Sequence, residues 1–294
     1  MRNAMRNKMV LAGTFVLTLA ACTAKDTPAA TKADSTSPAT AAATAPPPAP
    51  NVITVHAKDY SYQGPSQIPA GMTTINLVND GPNLHHLEMI RLDSGKTLND
   101  LKKAFALPAA PPAWAVFTGG PNAPDPGKTA SATIDLQPGS YVMVCLVDIP
   151  GGVPHFAKGM MTPVTVTAST GPAAAAPTPS LTITLTDYAF DLSTPLTAGS
   201  HVFEVKNAAS QMHEVELIRL APGKTIEQFL AFMAKPAGPP PASAVGGVSP
   251  FTGGPVYFSA DITPGNYALI CFVPDAKDGK PHFMHGMTKA ITVM

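Results

Sequence analysis

A chain of 294 residues has room for two ordinary domains, each large enough to bury a core of its own. Its 19 Lys and Arg balance 19 Asp and Glu, which excludes the basic surface of a nucleic-acid binder, and three Cys are too few for a disulfide-stapled scaffold. With 33 Pro, 23 Gly and only 6% aromatic residues, the composition favours short strands joined by turns over long helices.

At the N-terminus Arg2, Arg6 and Lys8 precede an apolar run, Met9 to Ala20, too short for a stable membrane span but suited to a signal peptide over residues 1–21. The run closes on Leu19-Ala20-Ala21-Cys22, which resembles the lipobox of bacterial lipoproteins. That resemblance implies that Cys22 is acylated and becomes the new N-terminus. The mature protein is then exported, on a periplasmic or cell-surface face, and tied to the membrane by lipid alone. The same run also suits a secreted protein cut after its Ala-rich end. Cleavage leaves 16 basic against 19 acidic residues, a formal charge of −3. Residues 22–50, mostly Ala, Thr, Pro and Ser, bury too little apolar surface to offset chain entropy and read as a disordered tether.

A second Ala/Pro stretch, residues 169–180, separates a first unit (51–168) from a second (181–294). The two are copies of one pattern. Asn79 and Asn207 each precede a His by six positions, His85 and His213, and Leu87-Glu88-Met89-Ile90-Arg91-Leu92 parallels Val215-Glu216-Leu217-Ile218-Arg219-Leu220. Thr118-Gly119-Gly120-Pro121 returns as Thr252-Gly253-Gly254-Pro255, and Pro138-Gly139-Ser140-Tyr141 as Pro264-Gly265-Asn266-Tyr267, each Tyr four positions before a Cys. Apolar and polar residues alternate in segments such as Val52 to Val55 and Leu181 to Leu185, which predicts half-buried strands. One helix interrupts each unit. Thr97 leads Leu98, Leu101 and Phe105, while Thr225 leads Ile226, Phe229, Leu230 and Met233, with Gln228 placed for a capping box. About seven short strands and one inserted helix per unit predict an all-β chain of two antiparallel Greek-key β-sandwiches.

The chemistry is concentrated late in each unit. Cys145 is followed by His155 and Met160, and Cys271 by His282 and Met287, both ending in His-x3-Gly-Met. With His85 or His213 upstream, each unit assembles one thiolate, two imidazoles and one thioether, the donors of a trigonal copper site with a long axial Met. Strand alternation turns His85, Leu87 and Met89 to one face and His86 and Glu88 to the other, and Glu214 replaces His86 in the second copy, so His85 is the preferred ligand. Glu88, Arg91, Glu216 and Arg219 then read as strand-surface charges, and His56, His201 and His285 as residues without a partner set. A disulfide between Cys145 and Cys271 is the bland alternative, but it leaves both His-x3-Gly-Met cassettes unexplained.

Asn-x5-His, Tyr-x3-Cys and His-x3-Gly-Met before a closing strand together resemble the cupredoxin family along nearly all of both units. The resemblance implies two tandem cupredoxin-like sandwiches and two type 1 copper sites, one on His85, Cys145, His155 and Met160, the other on His213, Cys271, His282 and Met287. It also implies electron transfer with redox partner proteins, with His155 and His282 as electron ports. The Cys-to-His loop is nearer the nitrite-reductase type than that of the smallest cupredoxins. A two-domain copper oxidase or nitrite-reductase-like enzyme is the main rival, and a copper-binding or storage module without a redox task is another. Related enzymes usually carry a catalytic-copper His beside the Cys; here the neighbours are Val144 and Leu146, and Ile270 and Phe272.

Overall fold

The computed structural model describes residues 48–107, 110–149 and 152–294, so the signal segment, Cys22 and most of the tether lie outside the described residues. The first repeat comprises β1 (Asn51–Lys58), β2 (Ser61–Gln63), β3 (Gln67–Pro69), β4 (Gly71–Asn79), β5 (Glu88–Leu92), α1 (Leu98–Phe105), β6 (Ala115–Phe117), β7 (Thr129–Leu136), β8 (Gly139–Val144), β9 (Asp148–Ile149), β10 (Val153–Pro154) and β11 (Met161–Thr167). The second comprises β12 (Leu181–Thr186), β13 (Ala189–Leu192), β14 (Gly199–Asn207), β15 (His213–Leu220), α2 (Ile226–Ala234), β16 (Ala242–Phe251), β17 (Val256–Ile262), β18 (Gly265–Ile270) and β19 (Thr288–Val293). Among the described residues no helix is long and apolar enough to cross a membrane.

The all-β expectation holds, and the strand order shows how the copies join. One sheet, β13-β12-β14-β17-β7-β4-β1-β2, runs through both repeats, while β3-β11-β8-β5-β6 belongs to the first and β16-β15-β18-β19 to the second. Each sandwich closes its core between its own sheet and its share of the common one, with Ile75, Leu77, Tyr141 and Met143 inside the first and Phe203, Val205, Tyr267 and Leu269 inside the second. The pairing is not wholly antiparallel, as the alternation had suggested. β1 runs parallel to β4, β12 to β14 and β3 to β11. In the first repeat the chain leaves β1 through β2, crosses to the other sheet as β3, and returns in β4 with its direction restored.

Tyr141 explains why Pro-Gly precedes a Tyr in both copies. Its hydroxyl donates to the Gln137 carbonyl at 3.0 Å and accepts from the Gln137 N–H at 3.2 Å, and Tyr267 does the same with Thr263 at 2.7 and 3.1 Å. Each Tyr therefore locks the turn that feeds the Cys-bearing strand, the device known in other sandwiches as a tyrosine corner.

Both helices carry a capping box, Thr97 with Asp100 and Thr225 with Gln228. They cover the outer faces of the smaller sheets: Leu101 packs with Ile90, Leu92 and Val142, and Phe229 with Ile218, Leu220 and Ile270. β5 and β15 are consequently covered on both faces. Nearer the seam between the repeats other strands supply that cover, which corrects the surface placement of Glu88 and Glu216, 0% and 7% exposed: Gly119 N–H donates to Glu88 at 3.1 Å and Glu214 stands beside both. Alternation identifies the face a side chain occupies; it does not say what lies on top of that face.

The repeats also meet edge to edge. Thr133 and Ala132 of β7 pair with Tyr257 and Phe258 of β17, the Ser249 N–H donates to the Gly120 carbonyl at 2.9 Å, and the Thr252 N–H donates to the Phe117 carbonyl at 3.1 Å. Gly120 is required at this crossing because a Cβ there would stand 2.2 Å from the Leu87 carbonyl oxygen.

Candidate metal centres

The loop that carries the first His is tied by the Asn six residues before it. Asn79 Nδ2 donates to the carbonyls of Asn83 (2.8 Å) and Pro124 (3.0 Å), while Asn207 Nδ2 donates to those of Gln211 (2.8 Å) and Phe251 (3.0 Å). The second cradle forms where β8 or β18 ends. Cys145 N–H donates to the Met160 carbonyl at 3.2 Å, Phe156 N–H to the Cys145 carbonyl at 2.9 Å, and Met160 N–H to the His155 carbonyl at 3.2 Å. Cys271, Phe283, Met287 and His282 repeat these bonds at 3.3, 2.9 and 3.0 Å. The 3-10 turns His155–Lys158 and His282–His285 end on Gly159 and Gly286 at φ 106° and 94°, a left-handed cap that only Gly adopts without strain. The extra residue of the second loop falls between Val273 and His282, outside this bonding pattern.

All eight expected donors are buried, none more than 1% exposed. In the first repeat Nδ1 of His85 and Nδ1 of His155 stand 3.1 Å apart, with Cys145 Sγ 3.4 Å from the latter. In the second the two Nδ1 atoms are 3.0 Å apart, and Cys271 Sγ lies 3.9 Å from His213 and 3.4 Å from His282. Donors about 2.0–2.3 Å from one ion in a plane stand about 3.5–4 Å from each other, so both triangles need little adjustment to close on a metal. Each Met follows in the same cradle, fully buried. Cys145 and Cys271 are both free, each buried in its own repeat, so the disulfide alternative is not realised.

The partners of the imidazoles fix which nitrogen faces the centre. Asp59 Oδ1 lies 2.6 Å from His85 Nε2 and Asp187 Oδ1 lies 3.2 Å from His213 Nε2, which holds the ring proton on Nε2 and leaves the Nδ1 lone pair turned inward. Two lone pairs facing one another beside a sulfur are satisfied together by a soft cation, so the residues fit a copper-type ion. Burial lowers the pKa of all four histidines, that of His155 to about 4, and raises the Cys145 thiol to about 11 and the Cys271 thiol further. At neutral pH the rings are neutral donors, and a metal must displace a thiol proton to bind. Asp59 and Asp187 escaped the sequence reading, although both open an Asp-Tyr pair and both stand 26 residues before their His.

His86 is not among the donors. Its Nε2 accepts from the Leu146 N–H at 2.8 Å, and the residue in its place, Glu214, accepts from the Phe272 N–H at 2.8 Å. Of the histidines expected to lack partners, His56 lies 2.8 Å from Asp80 on an exposed face, and His201 accompanies the Thr197 carbonyl at 2.8 Å. His285 is a correction: it joins Asp275 and Asp278 in a cluster of possible ligands beside the second centre, with Asp278 3.1 Å away.

Two all-β sandwiches, each closing a His-Cys-His triangle at the loops of one end, make a cupredoxin-like architecture. No protein-family model matches the chain, and no curated protein matches it. Among solved structures it is similar to the auracyanin of the photosynthetic bacterium Roseiflexus castenholzii, at 21% identity over 40% of this chain and 98% of that one, with a TM-score of 0.28. It is likewise similar to auracyanin A of Chloroflexus aurantiacus, described as a "blue" copper protein, at 21% identity, 40% and 98% coverage and a TM-score of 0.29. The copper nitrite reductase of Nitrosomonas europaea matches at 14% identity over 83% of this chain and 93% of its own, with a TM-score of 0.25.

Proposed function

We propose that the chain is an exported, lipid-anchored blue-copper electron carrier, with one type 1 copper on His85, Cys145, His155 and Met160 and another on His213, Cys271, His282 and Met287. The observation that carries this reading is the convergence of two imidazole nitrogens and one Sγ in each repeat, all within 4.8 Å of one another. Bound copper supplies the Cu(II)/Cu(I) couple. The chain does the rest: Asp59 and Asp187 orient the rings, the backbone cradle fixes Cys against Met, and burial keeps water out. Four protein donors leave no position for a substrate, which favours carriage over catalysis. Val153 and Met284, 39% and 60% exposed and each within two residues of a ligand His, offer apolar contact to redox partner proteins. Cys22 supplies the anchor.

Copper titration with absorption followed at each step tests the reading. Two ions per chain and an intense thiolate-to-copper band are expected; Cys145→Ser or Cys271→Ser alone leaves about half the band, because each ligand set comes wholly from one repeat, and both together abolish it. A colourless chain, or a single change that removes all colour, rejects it. Labelling with a radioactive fatty acid, lost in Cys22→Ala, tests the anchor.

A further inference from the structure

Three buried polar side chains span the repeat interface between the two centres, and the outer two hold the peptide N–H that follows each cysteine. Leu146 N–H donates to His86 Nε2 at 2.8 Å. With Nε2 accepting, the ring carries its proton on Nδ1, and Asn122 is its side-chain neighbour. Asn122 Nδ2 donates onward to Glu214 Oε2 at 3.2 Å, and Glu214 Oε1 accepts from Phe272 N–H at 2.8 Å. His86, Asn122 and Glu214 are each at most 5% exposed.

The difference between the copies makes the bridge possible. His86 and Glu214 occupy one repeat position and both accept the amide after the Cys, a task either side chain performs. Only a His on one side and a carboxyl oxygen on the other present a donor and an acceptor toward the middle, which is what a carboxamide, with one of each, can span. Two copies of either residue would leave Asn122 mismatched at one end.

We propose that His86, Asn122 and Glu214 form the route by which one electron passes between the repeats. The proposal rests on the two-copper reading above. The giving centre goes from Cu(I) to Cu(II), the receiving centre from Cu(II) to Cu(I), and no bond is made or broken. The thiolate is the ligand most strongly coupled to copper, so a path leaving by the cysteine peptides begins where coupling is greatest, and its burial removes water that would have to reorient.

The test uses the full chain loaded with copper, in a Met160→Gln background whose different axial donor separates the absorption of the two centres. One electron per chain is delivered by pulse radiolysis and its redistribution is followed. A first-order phase independent of protein concentration is expected, slowed on the order of tenfold by Asn122→Leu. His86→Glu, which keeps an acceptor for Leu146 but offers Asn122 no donor, slows it similarly. Ser249→Ala, which deletes an inter-repeat bond to the Leu87 carbonyl outside the route, leaves it unchanged. In the metal-free chain, amide exchange at Leu146 and Phe272 is slow and quickens in Asn122→Leu but not in Ser249→Ala. An unaltered rate in both route variants, equal slowing in Ser249→Ala, or a phase that scales with protein concentration overturns the route. Uptake of fewer than two coppers overturns the reading beneath it as well.

Discussion

Asp59 and Asp187 lie outside the ligand set yet decide which nitrogen each first His presents, and Asp59 stands 2.6 Å from its ring. Asp59→Asn is expected to weaken copper binding by about 10- to 100-fold with the absorption band retained, as a competition titration against a chelator measures. Glu88 and Glu216 make a different residue-scale case. Burial raises both carboxyls well above the ordinary 4.5, and Glu88 Oε2 has no hydrogen-bond partner. A carboxyl raised in the folded state binds its proton more tightly there than in the unfolded chain, so its contribution to stability is complete below about pH 4.5 and declines as pH rises toward the folded pKa. Glu216→Gln, neutral at every pH, should therefore gain on the parent as denaturation is moved from pH 4 to pH 8. The eight donors were legible in the sequence because the cassette is written twice, whereas these carboxyls were not. Their surroundings come from strands and a second repeat far away in the chain.

The helices were legible as elements because a Thr cap, a capping partner and an apolar stripe are all local. Thr97→Ala or Thr225→Ala is expected to cost about 1 kcal/mol in chemical denaturation, by freeing the Asp100 or Gln228 N–H that the hydroxyl accepts. The 3-10 turns are the more consequential short elements, since each sets a ligand His and a Met on opposite ends of four residues. Gly286→Ala forces a side chain into φ 94° at that hinge and should lower stability by at least about 1 kcal/mol while broadening the copper band. Strand pairing was less legible than strand existence. Alternation in β1 and β12 says they are strands, but their parallel partners β4 and β14 follow from where the chain crosses between sheets, which no local pattern records.

For the whole molecule, duplication was plain from collinear motifs, and the way the copies join was not. Thr118-Gly119-Gly120-Pro121 and Thr252-Gly253-Gly254-Pro255 are identical in sequence, yet Gly119 to Pro121 are buried against the second repeat while the later four residues are exposed. The copies therefore meet through different surfaces, and Asn122 of the first repeat donates to Glu214 of the second with no counterpart in the reverse direction among the described residues.

The seam at β7 and β17 has a consequence for any shortened form of the chain. Each of these strands would be the bare margin of a solitary sandwich, a row of unfilled amides inviting a stranger's strand. A nick in the exposed 168–180 stretch leaves the halves clasped, but a fragment ending at residue 168 loses its cover. Sedimentation of that fragment should reveal self-association that the parent lacks, since the simplest replacement for a missing sibling is another molecule's identical border.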